Sequence, residues 1–348
     1  MEAGRGFCLR PALGSGCGAP QRSSCAVSLL RGVAATIMLG AATAPRLAEA
    51  QEGPDPASIL EGIERSLSAQ AEASLAVLGL SVIPSETAST LQLDTGQDGA
   101  ASYVGGQLGG AFTLSESVPL FLEGWLGYAR YDPSVVTGDG RSFEFPGRWT
   151  GASATGGIGW DLRLTDELVF RPIANLSLGH VENDLSVLGR VIEAETGLDL
   201  PPFRDGRVTV VGYGGSAMLE FSRSRPTHEI DVTLRYTAIQ LQAVNETNVE
   251  FDRSSEAQTL ALWSRTRLPT GLSIGPMPLR SVWEASMGLY LGDQEKVLDS
   301  PWLGQVGAGA ELGFEEVSWS PISRGRLVAR FVFGENATGV SIGLGASF

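Results

Sequence analysis

The chain is poor in the residue types on which most metal and thiol chemistry depends. It has three cysteines and two histidines in 348 residues, and Cys8, Cys17 and Cys25 all lie in the first fifty residues. That stretch has the pattern of a cleaved export signal, so the mature chain has no thiol for a disulfide, a thiolate metal site or a cysteine nucleophile. Two histidines without cysteine also argue against a transition-metal site.

We interpret residues 1–50 as a secretory signal peptide. Gly32 to Ala44 is an apolar run of signal-peptide length, too short to span a membrane. Ala48 and Ala50 follow it as a small-x-small cleavage site, and we predict cleavage after Ala50.

Charge and hydropathy exclude further classes of protein. The signal holds five arginines and two glutamates, so the mature chain keeps 20 of 25 basic and 37 of 39 acidic residues, a formal charge of −17. Nucleic acid is therefore not an expected partner. After the signal there is no long apolar run, which excludes a helical membrane protein. A membrane β-barrel stays open, because its strands are only weakly hydrophobic.

The last nine residues carry the clearest strand pattern. Val340, Ile342, Leu344, Ala346 and Phe348 alternate with serine and glycine, so a strand here has one apolar face and one small polar face. The side chains of the polar face are too small to form the solvated side of a soluble sheet. The pattern fits a barrel wall, with apolar side chains toward lipid and small ones toward a crowded interior. The alternative for this stretch is a buried last strand of a soluble sandwich.

From about residue 87 onward the sequence predicts an all-β fold, an antiparallel transmembrane barrel of about twelve strands. Most of the predicted strands have ten or more residues. A tilted membrane strand needs about 9 to 11 residues, whereas soluble strands most often have about 5 to 6. The predicted strands are roughly 87–95, 101–114, 117–131, 151–164, 167–181, 207–223, 227–243, 256–268, 281–292, 303–316, 324–334 and 337–348.

Charged residues fall on the polar parity of these strands. A charge facing hydrocarbon would cost about 2 to 4 kcal/mol at the bilayer midplane, so we predict that this parity faces the lumen. The predicted lumen-facing residues are Glu123, Asp161, Arg163, Arg171, Glu220, Glu229, Asp231, Arg235, Arg265, Arg267, Glu284, Glu311, Glu315, Arg326 and Arg330. They either line a water-filled pore or pair across a narrow lumen; we favour pairing for any one of them.

The lengths of the connections fit a barrel with both ends on the inner side. Such barrels have long outer loops and short inner turns. The long stretches 132–150, 182–206 and 245–255 fall in outer places, and the short stretches 115–116, 165–166 and 222–226 fall in inner places. Pro269 to Leu279 breaks this rule as a long inner turn, and the outer connections around 96–100 and 335–337 are short as well.

The segment 51–86 is the one helix-like part of the mature chain. Ile59, Ile63 and Leu67 recur at helical spacing. Leu75 to Ile83 is apolar enough to be an early strand instead. A helix here would lie either inside the barrel or in the periplasm, and we favour an interior plug.

Together, the strand count, the preceding helical segment and the closing strand ending in Phe348 resemble the translocator barrel of bacterial autotransporters. The resemblance covers Pro54 to Phe348 and implies a barrel in the cell outer membrane. It also implies that Val340, Ile342, Leu344, Ala346 and Phe348 are read by the barrel-assembly machinery. Outer-membrane lipid and lipopolysaccharide are then the expected surroundings. Only about 35 residues separate Ala50 from the first strand, so the chain is similar to a solitary barrel without a passenger.

The sequence leaves three functions open. We predict a non-enzymatic barrel, a narrow pore or a structural or surface element, with no catalytic residue, cofactor or metal. The first alternative is a lipid or ester hydrolase that uses His180, with Glu182, Asp184 and Ser186 nearby. Neither a His-x-Ser motif nor a Gly-x-Ser-x-Gly elbow supports it. The second alternative is a soluble exported sandwich that binds a ligand. The oligomeric state is not indicated.

Overall fold

The computed structural model describes most of the chain after residue 74. The described residues are 75–86, 88–95, 101–133, 135–136, 142–143, 148–183, 207–244, 254–314 and 322–347. The predictions for the signal peptide, for the cleavage residues Ala48 and Ala50, and for Glu315, Ser186 and Phe348 lie outside these residues.

Within the described residues, twelve long strands form one antiparallel sheet that closes on itself. They are β1 (Ala88–Thr95), β2 (Ala101–Thr113), β3 (Leu120–Pro133), β6 (Trp149–Trp160), β8 (Leu168–Asn183), β9 (Arg207–Arg225), β10 (His228–Ala243), β11 (Ser254–Ile274), β12 (Met277–Tyr290), β13 (Trp302–Gly313), β14 (Arg324–Gly334) and β15 (Ala337–Ser347). Each pairs with its neighbours along the chain, and β1 pairs with β15. The predicted twelve-stranded barrel is confirmed, and the sandwich alternative is wrong because the sheet is a single closed cylinder.

Three two-residue strands accompany the cylinder. β4 (Val135–Val136) and β5 (Ser142–Phe143) pair with each other between β3 and β6. β7 (Leu162–Arg163) follows β6 after Asp161 and pairs with β8. β1 is the shortest of the long strands, and its pairing with β2 ends at Ser89 and Gln107. In the described chain, residues 108–113 of β2 therefore pair with β3 alone.

The apolar outer face of the cylinder arises because apolar and polar residues alternate along each long strand. Leu108 is 67% exposed, Leu126 60% and Leu344 59%, and exposed apolar residues recur on the same parity of every long strand but β1. A soluble monomer rarely exposes so large an apolar patch, so this belt faces hydrocarbon. Among the described residues, no helix has the length and apolar character needed to cross a membrane.

The closing strand follows the predicted orientation over its described length. Val340, Ile342 and Leu344 are exposed on the outer face, as is Ala346. The small inner face gives room to long side chains from β14. A Cβ at Gly343 would overlap the guanidinium of Arg330, so bulk on this parity of β15 would displace an arginine.

The connection between β11 and β12 corrects one prediction. Pro269 to Leu279 is not a long inner turn, because β11 runs to Ile274 and β12 starts at Met277. Gly275 has a φ of 62°, which suits the tight turn between them. Proline and glycine here mark an irregularity in pairing between Pro269 and Ser273, so this connection also obeys the short-inner-turn rule.

The segment 75–82 is a helix, α1, and lies inside the barrel. Leu75, Val77 and Leu78 are at most 1% exposed. The helix is apolar all round because its surroundings are apolar on every side. A strand here would leave its backbone groups without partners in the lumen, whereas a helix satisfies them internally. The early-strand alternative is therefore wrong, and α1 precedes the barrel as a short helix.

Candidate functional site

The lumen is divided into two layers, an apolar outer layer and a charged inner layer. One apolar cluster joins Leu75, Leu78 and Val82 of α1 to inward residues of β6, β8, β9, β10 and β11. A second cluster joins Ala76 and Val77 to inward residues of the other strands and to α2 (Gln294–Leu298). The outer layer is thus a small hydrophobic core that surrounds α1.

Polar contacts hold the inner end of α1 in register with the wall. The hydroxyl of Ser153 donates to the carbonyl oxygen of Ser81 at 3.0 Å, and that of Thr155 donates to the carbonyl oxygen of Val82 at 2.8 Å. From β2, two strands away from β6, Gln107 Nε2 donates to the carbonyl oxygen of Ile83 at 2.7 Å. These contacts satisfy carbonyls at the helix end that have no partner within the helix.

In the inner layer, a salt bridge crosses the lumen between β3 and β10. Arg235 Nη1 and Nη2 donate to the two carboxylate oxygens of Glu123 at 2.8 and 2.7 Å. The side chains are 5% and 1% exposed. Asn175 Nδ2 donates to Glu123 Oε1 at 2.7 Å, and Ser216 accepts from Arg235 at 2.9 Å. The bidentate pair is therefore buried and well satisfied, which is the geometry that lets a buried ion pair persist.

Gly157 makes room for this bridge. A Cβ built on Gly157 would lie 2.5 Å from Glu123 Oε1 and 2.7 Å from Asn175 Nδ2. Gly156, its neighbour, faces outward with open space at the same position. We expect Gly157→Ala to lower the free energy of unfolding by about 1 to 3 kcal/mol, the cost of disturbed buried hydrogen bonds. Denaturant titration of the folded barrel measures this, and Gly156→Ala is the matched control; equal effects would contradict the assignment.

A second ion-paired group surrounds Arg171 near the inner rim. Its guanidinium is hydrogen-bonded to Asp161 and donates to Glu220 at 2.9 Å. It also lies 3.9 Å from the centre of the Phe121 ring, within cation–π distance. Thr113 donates to Asp161 at 2.7 Å. The group thus ties the inner ends of β2, β3, β8 and β9 together.

A third and larger group, the arginine-rich group, lies on the wall from β10 to β14. Its members are Glu229, Asp231, Glu284, Glu311, Arg265, Arg267, Arg280, Arg324, Arg326 and Arg330. Glu284 is 1% exposed and lies 2.6 Å from nitrogens of both Arg265 and Arg330. Each carboxylate lies within salt-bridge distance of at least two guanidinium groups, so the group is a network rather than a set of pairs.

The structure brings thirteen of the predicted lumen-facing residues into these three groups. Arg163 is the described exception: it lies on β7, is 62% exposed and contacts Glu116 at 3.2 Å. The regular strand stops at Asp161, so parity beyond that residue no longer points into the lumen. The prediction missed Arg280 and Arg324, although each shares the inward parity of its strand.

The apolar outer layer was also missed by the sequence interpretation. Val181, Ile239 and Leu241 point inward and are fully buried. One signal was present: near the outer end of β10, Ile239 and Leu241 take the parity that Arg235 and Thr237 hold further in. Gln240 and Gln242 occupy the opposite parity there. Apolar side chains at inward positions of a strand indicate that an apolar segment of the chain fills the lumen there.

The loop from β12 to β13 folds over α1 and carries α2. Asp293 accepts hydrogen bonds from Ser255 at 2.9 Å, from the backbone N–H of Glu256 at 3.0 Å and from Lys296 at 2.9 Å. Burial raises the pKa of Asp293, but the hydrogen bonds from Lys296, Glu256 and Ser255 outweigh it, and the pKa lies below its usual 3.8. Val297 and Leu298 are buried against the outer layer.

This lowered pKa predicts an acid-sensitive cap. Asp293 holds its proton less tightly in the folded state than in the unfolded state. Its contribution to stability is therefore complete above pH 3.8 and is lost as the pH falls through the lowered pKa. We expect hydrogen exchange of α2 amides, corrected for the intrinsic rate, to speed up over that range. Asp293→Asn should remove the dependence, and an unchanged acid response in that variant would contradict it.

His180 is placed on the outer face and not in a pocket. Its Nδ1 lies 3.2 Å from Thr209 Oγ1 and its Nε2 lies 3.4 Å from Glu182 Oε1. The side chain is 46% exposed. No described serine hydroxyl lies within hydrogen-bond distance of the imidazole, and Asp184 and Ser186 lie outside the described residues. The contacts are those of a polar residue at the edge of the apolar belt.

A closed antiparallel cylinder with an apolar outer belt and a polar interior is the architecture of outer-membrane proteins. The chain is an outer-membrane β-barrel. No family model and no curated protein matches the sequence.

Several solved barrels are similar in fold. They include the β domain of the Bordetella autotransporter BrkA, 13% identical, with 75% of this chain and 96% of that chain covered and a TM-score of 0.42. The transport unit of autotransporter AIDA-I from Escherichia coli is 15% identical, with 81% and 98% covered and a TM-score of 0.44. The translocator domain of autotransporter NalP from Neisseria meningitidis is 14% identical, with 84% and 96% covered and a TM-score of 0.39.

Proposed function

We propose that this barrel is a closed, non-enzymatic anchor that holds its own N-terminal segment at the outer surface of the cell. The observation that carries the proposal is the direction of α1 in the lumen. In this proposal the protein is a translocator-type barrel without a large passenger.

The contacts along β6 give the direction of α1. Leu78 lies 3.4 Å from a Cβ built on Gly151, Ser81 bonds to Ser153, and Val82 bonds to Thr155. The position on β6 therefore rises as the position on α1 rises. β6 starts at the mouth where the long connections lie and ends near the short turns. Since long connections mark the outer side of such barrels, the N-terminal end of α1 is the outermost.

Two barriers support a closed lumen. α1 and its apolar shell fill the outer layer, and the Glu123–Arg235 bridge spans the inner layer. Water and ions would have to cross both barriers. This arrangement favours an anchor over a freely conducting pore, which is the competing role that the sequence left open.

Surface labelling tests the proposal. The predicted mature chain has no cysteine, so a single introduced thiol reports one position. We expect Ser66→Cys to react with a membrane-impermeant maleimide on intact cells. Ser115→Cys, in the short turn after β2, is the matched control and should react only after the outer membrane is permeabilised. Labelling of Ser66→Cys only after permeabilisation would refute the anchor.

A further inference from the structure

A cavity of about 170 Å³ lies in the middle of the lumen, between the apolar outer layer and the arginine-rich group. One wall is formed by the C-terminal end of α1 and the residues after it, namely Leu80, Ser81, Ile83, Pro84 and Ser85. Tyr103 and Tyr290 lie on its outer side. Trp263 lies on its inner side, where the Arg330 guanidinium is 5.0 Å from the centre of the indole ring. Aromatic rings therefore line the cavity on both its outer and its inner side.

The described residues that line this cavity carry no charged side chain, although ion pairs crowd the lumen next to it. Its polar lining consists of amides, hydroxyls and an indole, including Gln305, Ser286 and Ser341. An ion entering the cavity would lose its hydration and would contact no charged side chain of the lining. The lining itself therefore favours uncharged solutes.

Three of the lining residues each carry a buried polar atom that has no hydrogen-bond partner among the described residues. The atoms are Gln107 Oε1, an acceptor; Trp263 Nε1, a donor; and Thr259 Oγ1, which does both. Thr259 is 6% exposed. A buried polar atom without a partner costs about 1 to 3 kcal/mol, so three around one cavity point to an occupant that supplies both donors and acceptors.

We infer that the cavity is a binding site for one small uncharged polyol, with the chemistry of a monosaccharide. Its hydroxyls donate to Gln107, accept from Trp263 and pair with Thr259, while its C–H faces pack on the aromatic rings. One water needs only about 10 to 15 Å³ of such volume, so the cavity has room for a solute well above the size of water.

Direct binding to the purified mature chain in detergent tests this inference. The probes are D-glucose and glycerol, with gluconate and glucosamine as charged analogues, measured by equilibrium dialysis. We expect saturable binding of the neutral probes and none of the charged ones. Thr259→Val should weaken binding about 3- to 10-fold, the value of one hydrogen bond. Thr266→Val, on the outward face of the same strand, is the matched control and should leave binding unchanged.

A second pair of variants separates binding from folding. A Cβ on Gly288 would have its closest neighbour at 3.9 Å, so Gly288→Leu can fill the cavity without a clash at Cβ. It should abolish binding while the barrel keeps its heat-modifiable gel mobility, and Gly156→Leu on the outer face should bind normally. Three results would overturn the inference: no saturable binding of either neutral probe, equal binding of the charged probes, or full binding by folded Gly288→Leu.

Discussion

Replacing Glu123 with leucine is expected to lower the free energy of unfolding of the barrel by about 3 to 5 kcal/mol, because the change leaves a buried guanidinium without its counter-charge. Glu123 accepts from Arg235 and Asn175, and its side chain is 1% exposed. Arg235 is 5% exposed, so it cannot recover hydration without a rearrangement of β10. Denaturant titration followed by tryptophan fluorescence measures the loss.

The double variant Glu123→Leu/Arg235→Met is the control for this prediction. It removes both charges at similar volume, and such replacements of buried pairs are often neutral or stabilising. We expect the free energy of unfolding of the double variant to be within about 1 kcal/mol of the wild-type value, or higher than it. If the double variant loses as much stability as Glu123→Leu alone, the cost arises from packing and the electrostatic account is wrong.

Releasing α1 is expected to have the largest effect on conductance. Leu78 is fully buried in the apolar outer layer. A carboxylate at this position has no described partner, and an uncompensated buried charge costs about 3 kcal/mol or more. A bias of that size shifts a two-state equilibrium by roughly 100-fold. In a barrel whose inner barrier has been removed by Glu123→Ser and Arg235→Ser, we expect Leu78→Asp to raise the open fraction of single barrels in planar bilayers by about this factor.

Two further variants make the conductance experiment specific. Leu78→Met conserves volume and polarity and should stay closed. Leu78→Asp alone leaves the Glu123–Arg235 bridge in place and should pass less current than the triple variant. Wild-type protein that conducts as much as the triple variant would contradict the closed lumen and, with it, the anchor role.

The wall of the barrel could be predicted because each strand encodes its own two faces. Charged residues such as Asp231 and Arg235 occupy the same alternating positions of their strand, so only the other positions can face hydrocarbon. The error at Pro269 to Leu279 arose because proline and glycine indicate turns in short windows, although here they accompany an irregular hairpin. The pairing register of the two strands corrects this error. It depends on both strands together, so it cannot be inferred from the sequence of either one alone.

From the sequence, the interior could be predicted only as a set of lumen-facing residues, without the contacts between them. Glu123 and Arg235 are 112 positions apart, and no local pattern shows that they meet across the lumen. Nor does a local pattern show that α1 fills the outer layer, because its apolar partners come from separate strands. Contacts of this kind depend on closure, which brings all strands around one axis at once.

The limited reach of β1 gives the cylinder a weak seam. Toward the inner end, residues 108–113 of β2 run past the start of β1, and within the described chain they find hydrogen-bonded neighbours on one side alone. Separating the wall there breaks fewer ladder bonds than separating any full-length pair, and local opening begins where it costs least. Among the described strand pairs, this gap is therefore where the wall would open first.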